Sequence, residues 1–97
     1  MTVTAEAPIA ARPADIDVQT LRGEIDRLDA EILALVRRRV EITRRAGLAR
    51  LGAGLPRVTH GGEMDVLRRF ERTLGRDGVS LAMVLIRLGR TGLPKAA

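Results

Sequence analysis

The sequence contains no cysteine, one histidine (His60) and one aromatic side chain (Phe70). Without cysteine, disulfides, thiolate zinc sites and thiol catalysis are excluded, and a single histidine argues against a structural metal site. No apolar run approaches the ~20 residues that a membrane-spanning helix needs. With 97 residues, 13 of them leucine, the chain is long enough for one small domain with an aliphatic core.

The charge of the chain comes mainly from arginine. Of the 17 basic residues, 16 are arginine, and with 12 acidic residues the net charge is +5. Such a surface is typical of nucleic-acid binding, although the aromatic side chains that stack on RNA bases are missing. Alternatively, arginines bind small dianions, because a guanidinium holds a carboxylate through two parallel hydrogen bonds. Composition alone leaves both interpretations open.

The chain divides into three regions by composition. Residues 1–16 hold two of the four prolines and show no helical or strand period, which predicts a disordered N-terminal tail. This tail lacks the pattern of a secretory signal peptide, so we expect a cytoplasmic protein. Residues 17–93 are predicted to form a helical domain, and residues 94–97 a flexible C-terminal end.

The period of apolar residues predicts an all-α fold with one long and two short helices. From Leu21 onward, apolar residues recur at alternating steps of four and three, as in a helix packed along another helix. We expect this helix of about 35 residues to be capped by Asp17 and ended by Gly52 and Gly54.

The two shorter helices are expected from about residue 63 to 74 and from about residue 79 to 88 or 90. The turn between them is expected at residues 75–78. The predicted inward side of the third helix consists of four apolar residues, namely Leu81, Val84, Leu85 and Leu88.

Two short helices cannot cover the apolar seam of a first helix that is roughly 50 Å long. A second copy of the chain running antiparallel is the simplest cover, so we predict an intertwined homodimer. The alternative is a monomeric bundle in which the long helix is broken near Gly47.

One arginine, Arg39, occupies a position within this apolar seam. A guanidinium there costs several kcal/mol unless it is paired or faces a wet cavity. Arg39 is therefore part of a structural ion pair, a polar residue that sets the register of helix packing, or part of the wall of an anion pocket. Arg50 lies three helical turns further on and shares its face. In an antiparallel dimer, Arg22 of one chain can approach the middle of the other.

The run LRGEIDRLDAEILALVRRRVEITRRAGLAR, at residues 21–50, resembles the first helix of the all-α chorismate mutases. It has their L-R-x-x-I-D-x-L-D start, L-x-R-R middle and G-x-A-[KR] end. The later segments VTHGGEMDVLRRF and LAMVLIRLGR are similar to the small actinobacterial subclass of that family. The resemblance covers about residues 18–93.

This resemblance implies a three-helix protomer, an intertwined homodimer and two active sites completed across the chains. The implied reaction is the rearrangement of chorismate to prephenate, on the route to phenylalanine and tyrosine, with no cofactor and no metal. Catalysis then consists of holding a dicarboxylate in its reactive conformer and stabilising the charge that grows on the breaking ether oxygen.

The resemblance also implies roles for individual residues. Arg22 would reach a substrate carboxylate from the other protomer, and Arg39 would bind a carboxylate in its own chain. Arg50 would lie near the ether oxygen, Glu63 would accept a hydrogen bond from the substrate hydroxyl, and Thr59 would contribute from the loop. We expect Arg39, Arg50 and Glu63 to be the catalytic residues. His60 receives no catalytic role.

At one position the sequence departs from the family pattern. Relatives carry arginine directly before the glutamate, whereas this chain has Gly62. The missing cation predicts weak activity of the isolated chain or a shifted substrate. Arg57 could substitute for it, but a solvated loop charge is the preferred interpretation of that residue.

The C-terminal sequence RLGRTGLPKAA suits a segment without fixed structure. The actinobacterial subclass is activated by a complex with 3-deoxy-heptulosonate-7-phosphate synthase (DAHP synthase), so we expect that enzyme as a partner through this segment. Arg87 and Arg90 are candidate contacts to the synthase, and they could equally complement the dipole of the last helix.

Two other functions compete with chorismate mutase activity. A related enzyme could use isochorismate or aminodeoxychorismate with the same fold and arginines. A non-catalytic helical dimer could bind nucleic acid, but a phosphate-binding surface gives no reason for Arg39 to lie among leucines and isoleucines.

Overall fold

The computed structural model describes residues 17–57 and 60–95. Within these ranges the chain forms no strand and three helices, namely α1 (Val18–Gly52), α2 (His60–Leu74) and α3 (Arg76–Thr91). This confirms the all-α prediction. None of these helices is both long and apolar enough to cross a membrane. The predicted N-terminal tail at residues 1–16 lies outside the described residues.

Asp17 caps the start of α1, as the sequence predicts. Its Oδ1 accepts the backbone N–H of Gln19 at 3.2 Å, and its Oδ2 accepts the Thr20 hydroxyl at 2.9 Å. The hydrogen bonds from Thr20 and then from Gln19 lower the pKa of the Asp17 carboxyl. The cap is therefore made by the charged carboxylate, which also suits the positive end of the helix dipole.

Gly54 ends α1 through a Schellman motif. The N–H of Leu55 donates to the carbonyl of Arg50 at 2.8 Å, and the N–H of Gly54 donates to the carbonyl of Leu51 at 3.0 Å. Gly54 has φ +77°, a conformation that glycine adopts without a steric penalty. The helix is continuous through Gly47, so the alternative of a helix broken at that residue is wrong.

The chain divides into two compact units, Met1–Leu33 and Ala34–Ala97. The described part of the first unit, residues 17–33, is exposed along its whole length. Its large apolar side chains include Ile25, Leu28 and Ile32, each with 55% of its surface accessible in the single chain. This apolar stripe is unusually exposed for a folded protein, since such residues are normally buried.

The second unit has a small core between the helices. Val40 of α1 is buried, as are Ala82 and Leu85 of α3. Gly89 of α3 allows a close approach to α1, because a Cβ at that position would lie 2.8 Å from Cγ2 of Thr43. The contacts between α1 and α3 therefore depend on small residues as well as on leucine.

The inward side of α3 differs from the prediction. Leu85 is buried and Leu88 is half-buried, but Leu81 and Val84 are exposed. The buried positions instead follow the period 78, 82, 85 and 89, where three of the four residues are glycine or alanine. The apolar pattern identified only part of this face because small residues can occupy it at close helix contacts.

The predicted turn at residues 75–78 is longer than the turn in the structure. Only Gly75, with φ +71°, lies outside the helices, and α3 begins at Arg76 rather than near Val79. Gly78 is part of α3 and lies against α2. A Cβ at Gly78 would collide with the carbonyl oxygen of Phe70 and lie 2.8 Å from Cβ of Leu74. The glycine at position 78 therefore permits a close contact between α2 and α3, and it does not form a turn.

The outer ends of the two short helices also lie beyond their predicted bounds. α2 begins at His60 rather than near Glu63, so two glycines lie in its first turn. α3 continues to Thr91, and Gly92 ends it with φ +84° and an N–H donated to the carbonyl of Leu88 at 2.8 Å.

We predict that Gly78→Ala destabilises the protein by about 1–3 kcal/mol, because the new methyl group meets backbone that cannot rotate away. The matched control is Gly23→Ala in the exposed part of α1, where no atom lies within 4 Å of the added Cβ. The control should gain up to ~1 kcal/mol from helix propensity. Urea denaturation measures both changes, and a Gly78→Ala variant as stable as the parent protein would contradict the contact.

Candidate active site

The second unit contains a cavity of about 270 Å³ between α1, α2, α3 and the segment that follows α1. Its charged wall consists of four arginines and one glutamate, namely Arg39, Arg50, Arg57, Arg90 and Glu63. Its apolar wall is formed by Ile42, Ala46, Val66 and Ile86. An apolar surface with a few converging charged groups is the usual form of a small-molecule site.

Arg39 reaches the cavity from the middle of α1. It is half-buried, and its Nη1 donates to the backbone carbonyl of Leu85 on α3 at 3.4 Å. No carboxylate within residues 17–57 and 60–95 forms an ion pair with it. This contact satisfies one donor of the guanidinium and leaves the others for a ligand.

Arg50 lies in the last turn of α1 and lines the same cavity as Arg39. The three-turn separation in sequence therefore brings both side chains to the wall of one cavity. Its backbone carbonyl is the acceptor of the Schellman motif, at 2.8 Å from the N–H of Leu55. The helix end thus fixes the backbone from which this side chain extends.

Glu63 stands in the first turn of α2 and forms an ion pair with Arg90 from the last turn of α3. Nη2 of Arg90 lies 2.6 Å from Oε1 of Glu63, and it also contacts Oε2. The glutamate side chain is only one-quarter exposed, so the pair lies partly away from water. In this arrangement Arg90 occupies both carboxylate oxygens.

Two residues of the cavity wall were not predicted as site residues. Arg57 was expected to be a solvated loop charge. It is indeed exposed and lies between α1 and α2, and it also lines the cavity and lies against Gly47 of α1. Arg90 was expected at a partner contact or as a complement to the helix dipole. Arg90 shares a helix face with Ile86, four residues earlier, but Ile86 was not among the residues predicted to face inward, so the sequence held no signal for Arg90.

The remaining predicted residues are placed as follows. Arg22 is exposed in the first unit, on the N-terminal part of α1. Thr59 lies outside the described residues. Gly62, at the position where the resemblance implies arginine, lines the cavity beside Glu63.

The charges of this cavity suit a small dicarboxylate. Within the described wall, Arg90 is neutralised by Glu63, whereas Arg39, Arg50 and Arg57 have no acidic partner. Guanidinium groups bind carboxylates in a bidentate way, and the attraction is stronger at Arg39, which is half-buried, than at the exposed Arg50 and Arg57. The small volume favours a compact ligand over a polymer.

Comparisons with known proteins agree with this geometry. The sequence profile of the chorismate mutase type II family matches residues 21–86. The chain is 54% identical over 74 residues to the intracellular chorismate mutase of Mycobacterium tuberculosis, covering 76% of this chain and 70% of the relative. It is 46% identical over 74 residues to the same-named protein of Mycolicibacterium smegmatis, covering 76% and 71%.

A solved structure is similar as well. It is a chain of the non-covalent complex of DAHP synthase and chorismate mutase from Corynebacterium glutamicum with a bound transition-state analogue. The TM-score is 0.74 at 38% sequence identity, over 84% of this chain and 98% of that chain. The resemblance identified in the sequence is thereby confirmed, and the chain belongs to the chorismate mutase type II family.

Proposed function

We propose that this protein converts chorismate to prephenate in the arginine-lined cavity of its second unit. The observation that carries the proposal is the presence of Arg39, Arg50 and Glu63 on the wall of one small cavity. The reaction is an isomerisation in which a carbon–carbon bond forms while the ether carbon–oxygen bond breaks. It requires no proton transfer, so a site built from cations and an apolar wall is chemically sufficient.

The first contribution of the site is to hold the substrate in its compact conformer. Arg39 binds one carboxylate of chorismate, and Arg22 of a second protomer binds the other. When both carboxylates are held, the two carbons between which the new bond forms lie in contact. The compact conformer, which is rare in water, is then the bound conformer. The apolar side chains Ile42 and Val66 restrict the space left for extended conformers.

The second contribution is electrostatic. Negative charge grows on the ether oxygen as its bond to carbon breaks, and Arg50 faces the cavity with no acidic partner among the described residues. A donor that meets this charge stabilises the transition state more than the substrate, so it raises kcat. Glu63 accepts the hydrogen bond of the substrate hydroxyl, and Thr59 contributes from the loop.

Glu63 can receive that hydrogen bond while its ion pair with Arg90 is present. Nη2 of Arg90 contacts both carboxylate oxygens, but each oxygen keeps a second lone pair for another donor. The ion pair therefore orients the carboxylate without closing it to the substrate. The glycine at position 62 lowers the activity of the isolated chain, because the cation of the family pattern is missing there.

The active unit is an intertwined antiparallel homodimer. The exposed apolar stripe of residues 17–33 supports it, since a second copy would bury Ile25, Leu28 and Ile32 together. The exposed Leu81 and Val84 of α3 offer additional apolar surface. Such a dimer is also what brings Arg22 of one chain to the cavity of the other.

The protein acts in the cytoplasm, in the biosynthesis of phenylalanine and tyrosine, and forms a complex with DAHP synthase. The similar structure from Corynebacterium glutamicum was solved as such a complex. Here, the segment after Thr91 follows directly on the helix end that carries Arg90. A partner that binds this segment can therefore shift the Arg90–Glu63 pair.

The competing functions have less support. The similar proteins are named chorismate mutases, which favours chorismate over isochorismate or aminodeoxychorismate as the substrate. Nucleic acid is not favoured either, because Arg39, Arg50 and Arg57 converge on a cavity of about 270 Å³. A phosphate backbone requires an extended cationic surface.

We predict that Arg50→Ala lowers kcat for chorismate by about 10²–10³-fold, as expected for loss of one preorganised donor to a developing charge. Arg72→Ala is the matched control, because Arg72 is exposed on α2 and does not line the cavity. The loss of chorismate absorbance measures both. A parent protein without turnover contradicts the function, and an Arg50→Ala variant within threefold of the parent contradicts the role of Arg50.

We predict that saturating DAHP synthase raises kcat/KM for chorismate by about tenfold or more, within the usual range of coupling between binding sites. Removal of residues 91–97 should abolish this gain, because the truncated chain lacks the segment that the synthase engages. Steady-state assays with and without the synthase measure the effect. Equal kcat/KM in both assays contradicts the partnership.

A further inference from the structure

We propose that Arg57 is a further substrate-binding residue, whose guanidinium holds a substrate carboxylate and whose position is set by Gly47. This inference rests on the proposed function, since the ligand it names is the dicarboxylate substrate. It concerns a residue outside α1, α2 and α3, in the segment that joins α1 to α2. Arg57 is thus a cation supplied by a loop to a site otherwise built on helices.

The position of Arg57 is defined by its contact with bare helix backbone. A Cβ added to Gly47 would lie 2.9 Å from Cγ and 3.0 Å from Nε of Arg57, with Cδ at 3.5 Å. The side chain therefore lies along the surface of α1 where Gly47 leaves space. Gly47 itself is buried, three residues before Arg50, so the contact is on the cavity side of the helix.

The charges of the wall leave Arg57 available for a ligand. Among the described residues no acid pairs with it, and the one carboxylate of the cavity, on Glu63, is held by Arg90. Arg68 on α2 differs from Arg57 in this respect, because it pairs with Asp65 at 3.1 Å. An anion entering the cavity thus meets a guanidinium that has no competing partner there.

The first turn of α2 explains why a loop cation is useful. Among the described side chains, that turn supplies Gly62 and Glu63 to the cavity wall, which means one carboxylate and no cation. Arg90 already offsets the charge of Glu63, so neither of these two residues leaves positive charge for a substrate with two carboxylates. Arg57 reaches the same cavity and supplies a positive charge that the described residues of this turn do not.

The first test is the kinetics of Arg57→Ala with chorismate. Loss of a charge-assisted hydrogen bond to a carboxylate should raise KM by about ten- to a hundredfold, with a smaller change in kcat. Arg57→Lys should recover part of the loss, because lysine keeps the charge but not the bidentate geometry. Arg72→Ala again serves as the control and should leave KM unchanged.

The second test displaces Arg57 without replacing it. In Gly47→Ala the new methyl group takes the space of the arginine side chain, which is flexible and can move. Alanine also favours the helix, which offsets part of the cost of moving Cγ of Arg57, so thermal stability should change little while KM rises. In the Arg57→Ala background, Gly47→Ala should have almost no further effect on KM, because the residue it displaces is already absent.

The outcomes separate this inference from the proposed function. If the parent protein does not convert chorismate, the proposed function fails and the inference fails with it. If the parent is active but Arg57→Ala changes KM by less than threefold, the inference alone is overturned. An equal loss from Gly47→Ala in both backgrounds also overturns it, because the methyl group would then obstruct the substrate directly.

Discussion

Positive charge without an acidic partner lines one cavity of the second unit. Arg39, Arg50 and Arg57 all lie on its wall, and among the described residues none of them pairs with an acid. An anion with two carboxylates offsets this charge. The small core, the tight glycine contacts and the Schellman motif after α1 fix the backbone that carries these side chains.

Much of this architecture is readable from the sequence because its signals are local. The helical period of α1, its Asp17 cap and its Gly54 end depend only on neighbouring residues, and each was predicted correctly. The placement of Arg39 and Arg50 on one face also follows from helix geometry, because eleven residues are close to three full turns.

The features that were missed depend on contacts between different elements of the fold. Gly78 looks like a turn residue, and only its approach to the Phe70 carbonyl explains why a helix needs glycine there. The cavity position of Arg57 likewise requires Gly47, ten residues earlier, to leave space on α1. The Arg90–Glu63 pair joins the end of α3 to the start of α2. The helical period of a sequence does not predict how two helices are placed relative to each other.

In the proposed dimer, each active site combines this cavity with Arg22 from a second chain. Refolding Arg22→Ala and Arg50→Ala chains together in equal amounts tests this arrangement. In an intertwined dimer the mixture should recover about a quarter of the parent activity, because half of the dimers are mixed and each has one intact site. Arg39→Ala mixed with Arg50→Ala should recover none, since both residues belong to the same side of the site. A mixture of Arg22→Ala and Arg50→Ala as inactive as its separate components would contradict the account.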